Sequence, residues 1–310
     1  MTDTPRLHPE MLGSLPAQIS VPSYDRKAVS QGLVHLGVGA FHRAHQAAAF
    51  DACLNAGDLR WGIVGASLRS RGVADQLEPQ DGLYTLCVQD GEEARDQIIG
   101  AVDRVIVAPE DPEALLAALA SKDTHLVTLT ITEKGYMLDP ATGVLMHGHE
   151  DIAHDRTGPE KPRTAPGFLA KALEMRRASN APPLTILSCD NVPANGARLR
   201  ASVTGIAEGW DSTLADWIGR ETAFPQTMVD RIVPATTPED IAALQERAGY
   251  EDHGMVKTEP FMQWVIEDAF VGERPDFSHV PGVQITRSVE EWEKAKLRLL
   301  NGAHSTLAYL

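Results

Sequence analysis

The chain has 310 residues and a mass of 33.6 kDa, and its 43% hydrophobic and 23% charged residues are typical of a globular protein, not of a disordered or collagen-like one. Its 28 basic and 43 acidic residues give a net charge of −15, which argues against nucleic-acid and anionic-membrane binding, because both require clustered basic charge. No apolar run of about 18 residues and no basic segment followed by an apolar stretch is present, so we expect a cytoplasmic protein without a transmembrane helix or signal peptide.

The first predicted elements form a β-α-β unit after an irregular, proline-rich arm of about thirty residues. A short apolar run at 33–36 predicts a buried strand that ends in a glycine turn. The alanine-rich segment 43–56 predicts a helix, and the apolar run at 61–66 predicts the next strand. Such a unit implies a parallel sheet with helices on its faces.

Further strands are predicted at 100–107, 125–132 and 184–187, and Asp111-Pro112 predicts the start of a helix over 113–119. Polar motifs follow the last two strands. In open α/β sheets, ligands bind at the carboxyl ends of strands, so these loops are predicted to be walls of a site. The unpatterned segment 143–166 predicts a long surface excursion, and a helical pattern returns from Val289.

Neither cysteine nor histidine spacing predicts a disulfide framework or a metal site. The three cysteines are far apart and form no CxxC motif, so we expect reduced, partly buried thiols. His35, His42 and His45 lie close in sequence, but no HExxH motif or carboxylate-histidine set accompanies them, and we expect no bound metal.

The glycine turn is the first candidate site. Gly37-x-Gly39-x-x-His42 follows a predicted strand and opens a predicted helix, where the first glycine allows a tight turn and the second lets a pyrophosphate approach the backbone. His42 stands where the usual pattern has glycine or alanine. The motif alone therefore leaves open a turn that binds nothing.

The last helix carries the second candidate site. At about 100° per residue, Asn301 and His304 lie roughly 140° and 80° around the helix from Lys296, so the three can border one broad face. A lysine, an amide and a histidine there could supply a base and two groups that hydrogen-bond a hydroxyl or alkoxide. The alternative is that Lys296 pairs with Glu293 on a solvated surface.

Seven sequence blocks occur in a recognisable order along the chain: Val34–His45, Gln80–Leu86, Thr130–Tyr136, Ser188–Asn191, Met228–Ile232, Glu259–Asp268 and Lys296–His304. In these blocks and their order the chain resembles a known family, the polyol-specific long-chain dehydrogenases, which include mannitol 2-dehydrogenase and fructuronate reductase. The resemblance covers about residues 32–310.

The resemblance implies an α/β fold, an extended Rossmann-type doubly wound sheet followed by the start of a mostly helical C-terminal domain. The corresponding domains are 1–285 and 286–310, the latter being the first helix of a truncated second domain. The implied activity is NAD(P)-dependent interconversion of a secondary alcohol of a polyol or sugar acid and its ketone. A different class of function remains open, in which the chain is an inactive, truncated dinucleotide-binding module without turnover.

The resemblance also implies the roles of individual residues. Lys296 is the general acid and base, Asn191 and Asn301 donate hydrogen bonds to the reacting oxygen, and His304 orients the substrate. Glu293 resembles the carboxylate of a proton relay, and Asp230 matches a polar position near the site. The cofactor-binding positions are Gly37, Gly39, Phe41 and His42.

Cofactor and substrate choice stay open at this level. Members that prefer NAD often carry an acidic pair after the second strand, whereas here Leu68-Arg69-Ser70 is followed by Arg71. An arginine there suits the 2′-phosphate of NADP, unless Arg71 points into solvent. The segments 133–136 and 231–235 look slightly closer to the hexuronate-reducing members, while the general match to mannitol dehydrogenases is also good.

Overall fold

The structure of the protein is a computed structural model that describes residues 4–91 and 93–296. Its strands are β1 (Leu33–Leu36), β2 (Ile63–Ser67), β3 (Tyr84–Asp90), β4 (Glu93–Ile99), β5 (Val102–Val107), β6 (Leu126–Leu129), β7 (Leu184–Ser188), β8 (Thr222–Ala223), β9 (Thr227–Asp230), β10 (Val256–Thr258), β11 (Gln263–Glu267) and β12 (Val283–Thr286). Its α-helices are α1 (Ala40–Ala44), α2 (Gln46–Asn55), α3 (Gly72–Leu77), α4 (Pro112–Ala120), α5 (Thr132–Gly135), α6 (Glu150–Asp155), α7 (Ala165–Ala178), α8 (Asn195–Ala207), α9 (Ser212–Glu221), α10 (Pro238–Ala248) and α11 (Glu290–Ala295). None of the helices within the described ranges is long and apolar enough to cross a bilayer.

A six-stranded parallel sheet forms the centre of the molecule, in the order β5-β2-β1-β6-β7-β8. The chain builds outward from β1 to one edge and then returns to continue from β6 to the other edge. The order therefore reverses between β1 and β6, which is the switch point where doubly wound sheets bind ligands. This topology confirms the predicted Rossmann-type α/β class.

Helices cover both faces of this sheet. The inner strands β1, β6 and β7 are buried along their whole length, as expected for strands covered on both sides. Helices α4, α7, α8 and α9 pack on one face. Helices α2 and α3 pack on the other, where Phe50 and Trp61 join Trp264 from a second sheet.

Two smaller sheets flank the main one. The antiparallel pair β3–β4 is extended by β10, which runs parallel to β3. The second small sheet has the order β12-β11-β9, with β9 antiparallel to β11. It brings the start of β9 towards the carboxyl end of β7, where the Asn195 side chain donates to the main-chain oxygens of both Asp190 and Thr227.

The first helix differs from the prediction because tertiary contacts interrupt it. It starts at Ala40 and breaks at His45, whose backbone is non-helical with φ −116° and ψ −83°. The His45 side chain is fully buried, and its Nε2 donates to the main-chain oxygen of Gln263, 3.0 Å away. These contacts with another element override the helix propensity of the alanine-rich segment.

Two other segments also differ from expectation. The excursion 143–166 contains helix α6, and its last residues contribute to the main cleft. The irregular arm buries Leu7 and Ile19 in a small core with the β3–β4 sheet and α10. All three cysteines are free thiols, and they are fully buried where partial burial was expected. The helical pattern after Val289 appears as α11, while the predicted positions Asn301 and His304 lie outside the described residues.

Candidate active site

A cleft of about 560 Å³ opens at the switch point, outside the carboxyl ends of β1, β2 and β6. Three segments form most of its wall: the glycine turn 37–39, residues 67–70 after β2, and residues 130–137 after β6. Asp151, Arg163, Thr164 and Ala165 line it from the excursion. Its position matches the ligand crevice of a doubly wound sheet.

The two glycines of the turn differ in backbone conformation and in the space around them. Gly37 has φ +99°, a left-handed conformation, and a Cβ there would lie 2.2 Å from the main-chain oxygen of Thr130. Gly39 has φ −79°, and a Cβ there would meet nothing closer than the Gly37 oxygen at 4.0 Å. Gly37 is therefore required by the fold, whereas Gly39 leaves open space on the cleft side of the turn.

The other two predicted cofactor positions do not line the cleft. His42 is fully buried, with its ring stacked on His35 at 3.4 Å between centroids, and neither ring nitrogen has a hydrogen-bond partner among the described residues. Phe41 stacks on His45 at 5.0 Å. Burial lowers the pKa of His35 and of His45 to about 3, and also lowers that of His42, so these rings are neutral packing groups beneath the turn.

Positive charge lines the cleft of this acidic protein, although not at the predicted arginine. Arg69, Lys134 and Arg163 contribute to the wall, with Asp151 as the acidic lining residue, 3.4 Å from Arg163. Arg71 does not line the cleft. Its guanidinium pairs with Asp75, Glu78 and Glu110 at 3.2, 2.9 and 2.7 Å, and these hydrogen bonds raise its pKa.

A smaller cavity of about 130 Å³ surrounds the end of Lys296. The Lys296 Nζ donates to the main-chain oxygen of Val229 at 2.6 Å and to Asn191 Oδ1 at 3.2 Å. Asp230 Oδ1 lies 3.2 Å from the same nitrogen, and the lysine side chain is only 9% exposed. The structure thus brings Lys296, Asn191 and Asp230 together, as the sequence predicted.

Glu293 lies one helical turn before Lys296 and lines the same cavity. Burial raises the pKa of its carboxyl, against the smaller lowering effect of the nearby main-chain N–H of Ala194. Among the described contacts, Lys296 pairs with Asp230 and not with Glu293, so the alternative of a solvated Glu293–Lys296 surface pair is wrong. The exposed pair on this helix is Glu290–Lys294.

Asp190 forms the wall between the two cavities. It follows β7, lines the lysine cavity, and accepts hydrogen bonds from the main-chain nitrogens of Ile131 and Thr132, which line the cleft. Burial raises the pKa of its carboxyl, against the lowering effect of these hydrogen bonds. Sequence reasoning named its neighbour Asn191 and missed Asp190, although the acid directly precedes that amide after a buried strand.

Sequence reasoning also missed Arg69 and the Val229 carbonyl. Arg69 could have been found from its place two residues after the second strand, where ribose contacts are made in such folds. The Val229 oxygen carries no side-chain signal, so no residue type could have pointed to it. No group of three or more potential metal ligands is assembled within 4–91 and 93–296.

The sheet order, the glycine turn at the switch point and the cleft above it define a Rossmann-type dinucleotide-binding domain. A family model described as the mannitol dehydrogenase Rossmann domain matches residues 31–279. The chain belongs to this family.

Relatives and solved structures agree with that assignment. An uncharacterized oxidoreductase of Escherichia coli K12, YeiQ, is 45% identical over 96% of this chain and 61% of its own length. Mannitol 2-dehydrogenase of Pyrenophora tritici-repentis is 43% identical over 99% of this chain and 55% of its own. The structure of Pseudomonas fluorescens mannitol 2-dehydrogenase in a ternary complex with NAD and D-mannitol is similar with a TM-score of 0.93 and 41% identity, covering 98% of this chain and 63% of that one. The chain therefore spans about three fifths of the length of such relatives.

Proposed function

We propose that this chain provides the cofactor-binding part and the catalytic lysine of an NAD(P)-dependent oxidoreductase that interconverts a secondary alcohol of a polyol or sugar acid and the corresponding ketone. The observation that carries the proposal is the position of Lys296, buried and 3.2 Å from Asn191, in a cavity that shares Asp190 and its contacts with the glycine-turn cleft. A base next to a dinucleotide cleft is what alcohol oxidation requires.

The residues of the cleft fit a dinucleotide. The open space at Gly39 lets a pyrophosphate approach the backbone, and Arg69, Lys134 and Arg163 supply positive charge for an anionic ligand. When bound, the nicotinamide supplies the hydride acceptor. The same donor set serves NAD, and we propose that NADP is also accepted, with Arg69 and not Arg71 beside the 2′-phosphate because Arg69 lines the cleft.

The contacts of Lys296 fit a general base. Its neutral amine takes the hydroxyl proton of the alcohol and, in the reverse direction, its ammonium returns a proton to the carbonyl oxygen. The Val229 oxygen and Asp230 hold Nζ in place. Because Asn191 Oδ1 accepts from Lys296, its amide N–H groups are oriented to donate to the alkoxide-like oxygen.

Three further roles belong to the proposal. The raised pKa of Glu293, one turn away, suits a carboxyl that exchanges the proton of Lys296 with solvent. Asn301 would donate a second hydrogen bond to the reacting oxygen, and His304 would orient the substrate, as the family resemblance implies. Residues from 286 onward would begin the helical second domain.

The substrate is proposed as a polyol of the mannitol type, with the mannonate and fructuronate pair as the second candidate. Two relatives support the first candidate: the fungal mannitol 2-dehydrogenase and the bacterial mannitol 2-dehydrogenase whose structure contains NAD and D-mannitol. The segments 133–136 and 231–235 favour the second on sequence.

The test incubates the full-length protein with NAD⁺ or NADP⁺ and, as substrate, mannitol, another polyol or mannonate. Reduction of the cofactor by the alcohol is followed by absorbance. We expect turnover with at least one polyol or sugar acid. Cofactor binding measured by calorimetry without turnover on any substrate would support instead a dinucleotide-binding module. Absence of both binding and turnover would contradict the proposal entirely.

A further inference from the structure

The carboxylate of Asp190 accepts hydrogen bonds from three donors in the segment that follows β6, two main-chain nitrogens and one hydroxyl. Its Oδ1 accepts from the main-chain nitrogen of Thr132 at 2.9 Å. Its Oδ2 accepts from the main-chain nitrogen of Ile131 at 3.1 Å and from the hydroxyl of Tyr136 at 2.8 Å. The residue is only 9% exposed, so water replaces none of these partners easily.

The conformation that Asp190 fixes is an unusual one. Thr132 has φ +65°, in the left-handed region that a β-branched residue rarely adopts. Such a conformation persists only where surrounding contacts over-determine it, and it is characteristic of functional sites. Thr132 and Ile131 line the proposed cofactor cleft, so the carboxylate holds one wall of that cleft in shape.

The same residue also fixes the lysine cavity. Asn191 is its direct neighbour and accepts from Lys296. The main-chain oxygen of Asp190 accepts from the side chain of Asn195 at 3.1 Å, and that amide also donates to the Thr227 oxygen at 2.9 Å. Thr227 begins β9, the strand that ends with Val229 and Asp230 beside the lysine.

We propose that Asp190 is a positioning residue. It fixes the position of the cofactor cleft relative to the lysine cavity, because it holds Ile131 and Thr132 on one side and Asn191 on the other. The inference rests on the proposed function. Loss of the carboxylate alone would let the strained turn relax and Asn191 shift, so cofactor affinity and the catalytic step would both weaken. A residue that only stabilised the fold would weaken neither in the molecules that remain folded.

The test is Asp190→Asn in the full-length protein, which keeps the size of the side chain but turns one oxygen into a donor. At least one main-chain N–H then loses its acceptor. The matched control is Asp252→Asn. Asp252 is fully buried and accepts from the main-chain nitrogens of Thr85 and Gly254 and from the Gln80 side chain, and it lines neither cavity.

We measure cofactor dissociation by calorimetry, kcat at saturating cofactor, and unfolding by urea. Asp190→Asn is expected to raise the cofactor Kd and to lower kcat, each about tenfold, since one unsatisfied buried group has an effect of that order. Asp252→Asn is expected to lower stability while changing Kd and kcat less than about twofold. The inference is overturned if Asp190→Asn changes only stability, or changes only one of Kd and kcat.

A second variant keeps the inference testable if Asp190→Asn fails to fold. Tyr136→Phe removes one of the three donors and leaves both main-chain contacts. It is expected to raise Kd and lower kcat together by a few-fold, and unchanged values of both would overturn the inference. Wild-type protein that binds no cofactor would contradict the proposed function itself, which distinguishes the two failures.

Discussion

Gly37 and Gly39 are two residues apart in one turn, yet the fold requires glycine only at position 37, whereas Gly39 keeps the space beside the backbone open for a ligand. We expect Gly39→Val to fold and to lose dinucleotide affinity, because its side chain would occupy the open space where a pyrophosphate approaches the backbone. Gly37→Ala is expected to lower stability, because of its φ of +99° and the nearby Thr130 oxygen. Calorimetry and urea denaturation of both variants distinguish the effects. Unchanged affinity in folded Gly39→Val protein would count against the site.

A second pair of residues tests cofactor choice. Arg69→Glu places a carboxylate on the cleft wall, so we expect the ratio of kcat/KM for NADP over NAD to fall about tenfold or more. Arg71→Glu is the matched control, because Arg71 lies in three ion pairs outside the cleft and its replacement should leave that ratio unchanged. If instead Arg71→Glu lowers the ratio and Arg69→Glu leaves it unchanged, Arg71 and not Arg69 contacts the ribose phosphate.

The family resemblance made Lys296, Asn191 and Asp230 predictable as parts of one site, because the sequence blocks that contain them occur in the family's order. It did not make His42 predictable. That residue occupies the third position of a binding motif, but its ring is buried against His35 beneath the turn. A one-dimensional pattern gives the position of a residue along the turn and not the direction of its side chain.

Among the elements, five strands of the central sheet followed from short apolar runs: β1, β2, β5, β6 and β7. The β3–β4 hairpin and the small sheet of β9, β11 and β12 did not, because their alternation is mixed and their pairing partners are distant in sequence. The break at His45 likewise depends on Gln263, 218 positions further along. Long-range contacts of this kind leave no local pattern.

Helix α10 offers a test of local structure away from the site. Thr237 and Asp240 form a capping box at its start, in which each side chain accepts from the backbone of the other residue. We expect Thr237→Ala to lower the free energy of unfolding by about 1 kcal/mol, and Thr237→Ser to lower it by much less because the hydroxyl is kept. Urea denaturation measures both. Equal destabilisation by the two variants would show that the cap is not responsible.

On the scale of the whole molecule, buried neutral histidines make stability depend on pH. Burial lowers the pKa of His35 from 6.5 to about 3, so between these values the unfolded chain binds a proton that the folded one does not. The contribution of neutral His35 to the free energy of unfolding is complete above pH 6.5. It is lost as the pH falls below that value, by about 1.4 kcal/mol per pH unit.

The variant His35→Gln isolates this effect, because the buried carboxylates are common to both proteins. Glutamine keeps hydrogen-bonding groups near Thr128 and Thr130, the partners of the imidazole. Urea denaturation at pH 5.0, 5.5, 6.0 and about 6.5 should give a shallower decrease for the variant, by roughly the slope of one proton. Identical slopes would mean that His35 titrates alike in the folded and unfolded protein.

The central claim is that Lys296 is the base of an alcohol oxidoreductase, and it is tested most directly by Lys296→Ala in the full-length protein. Lys294→Ala is the matched control, since Lys294 lies on the same helix and pairs with Glu290 in solvent. We measure kcat with the polyol or sugar acid that the wild-type protein turns over, and the cofactor Kd by calorimetry. The account predicts that Lys296→Ala lowers kcat by about 10²–10⁴-fold with a near-normal Kd, while Lys294→Ala retains turnover. Wild-type turnover in Lys296→Ala, with an unchanged pH–rate profile, would contradict it.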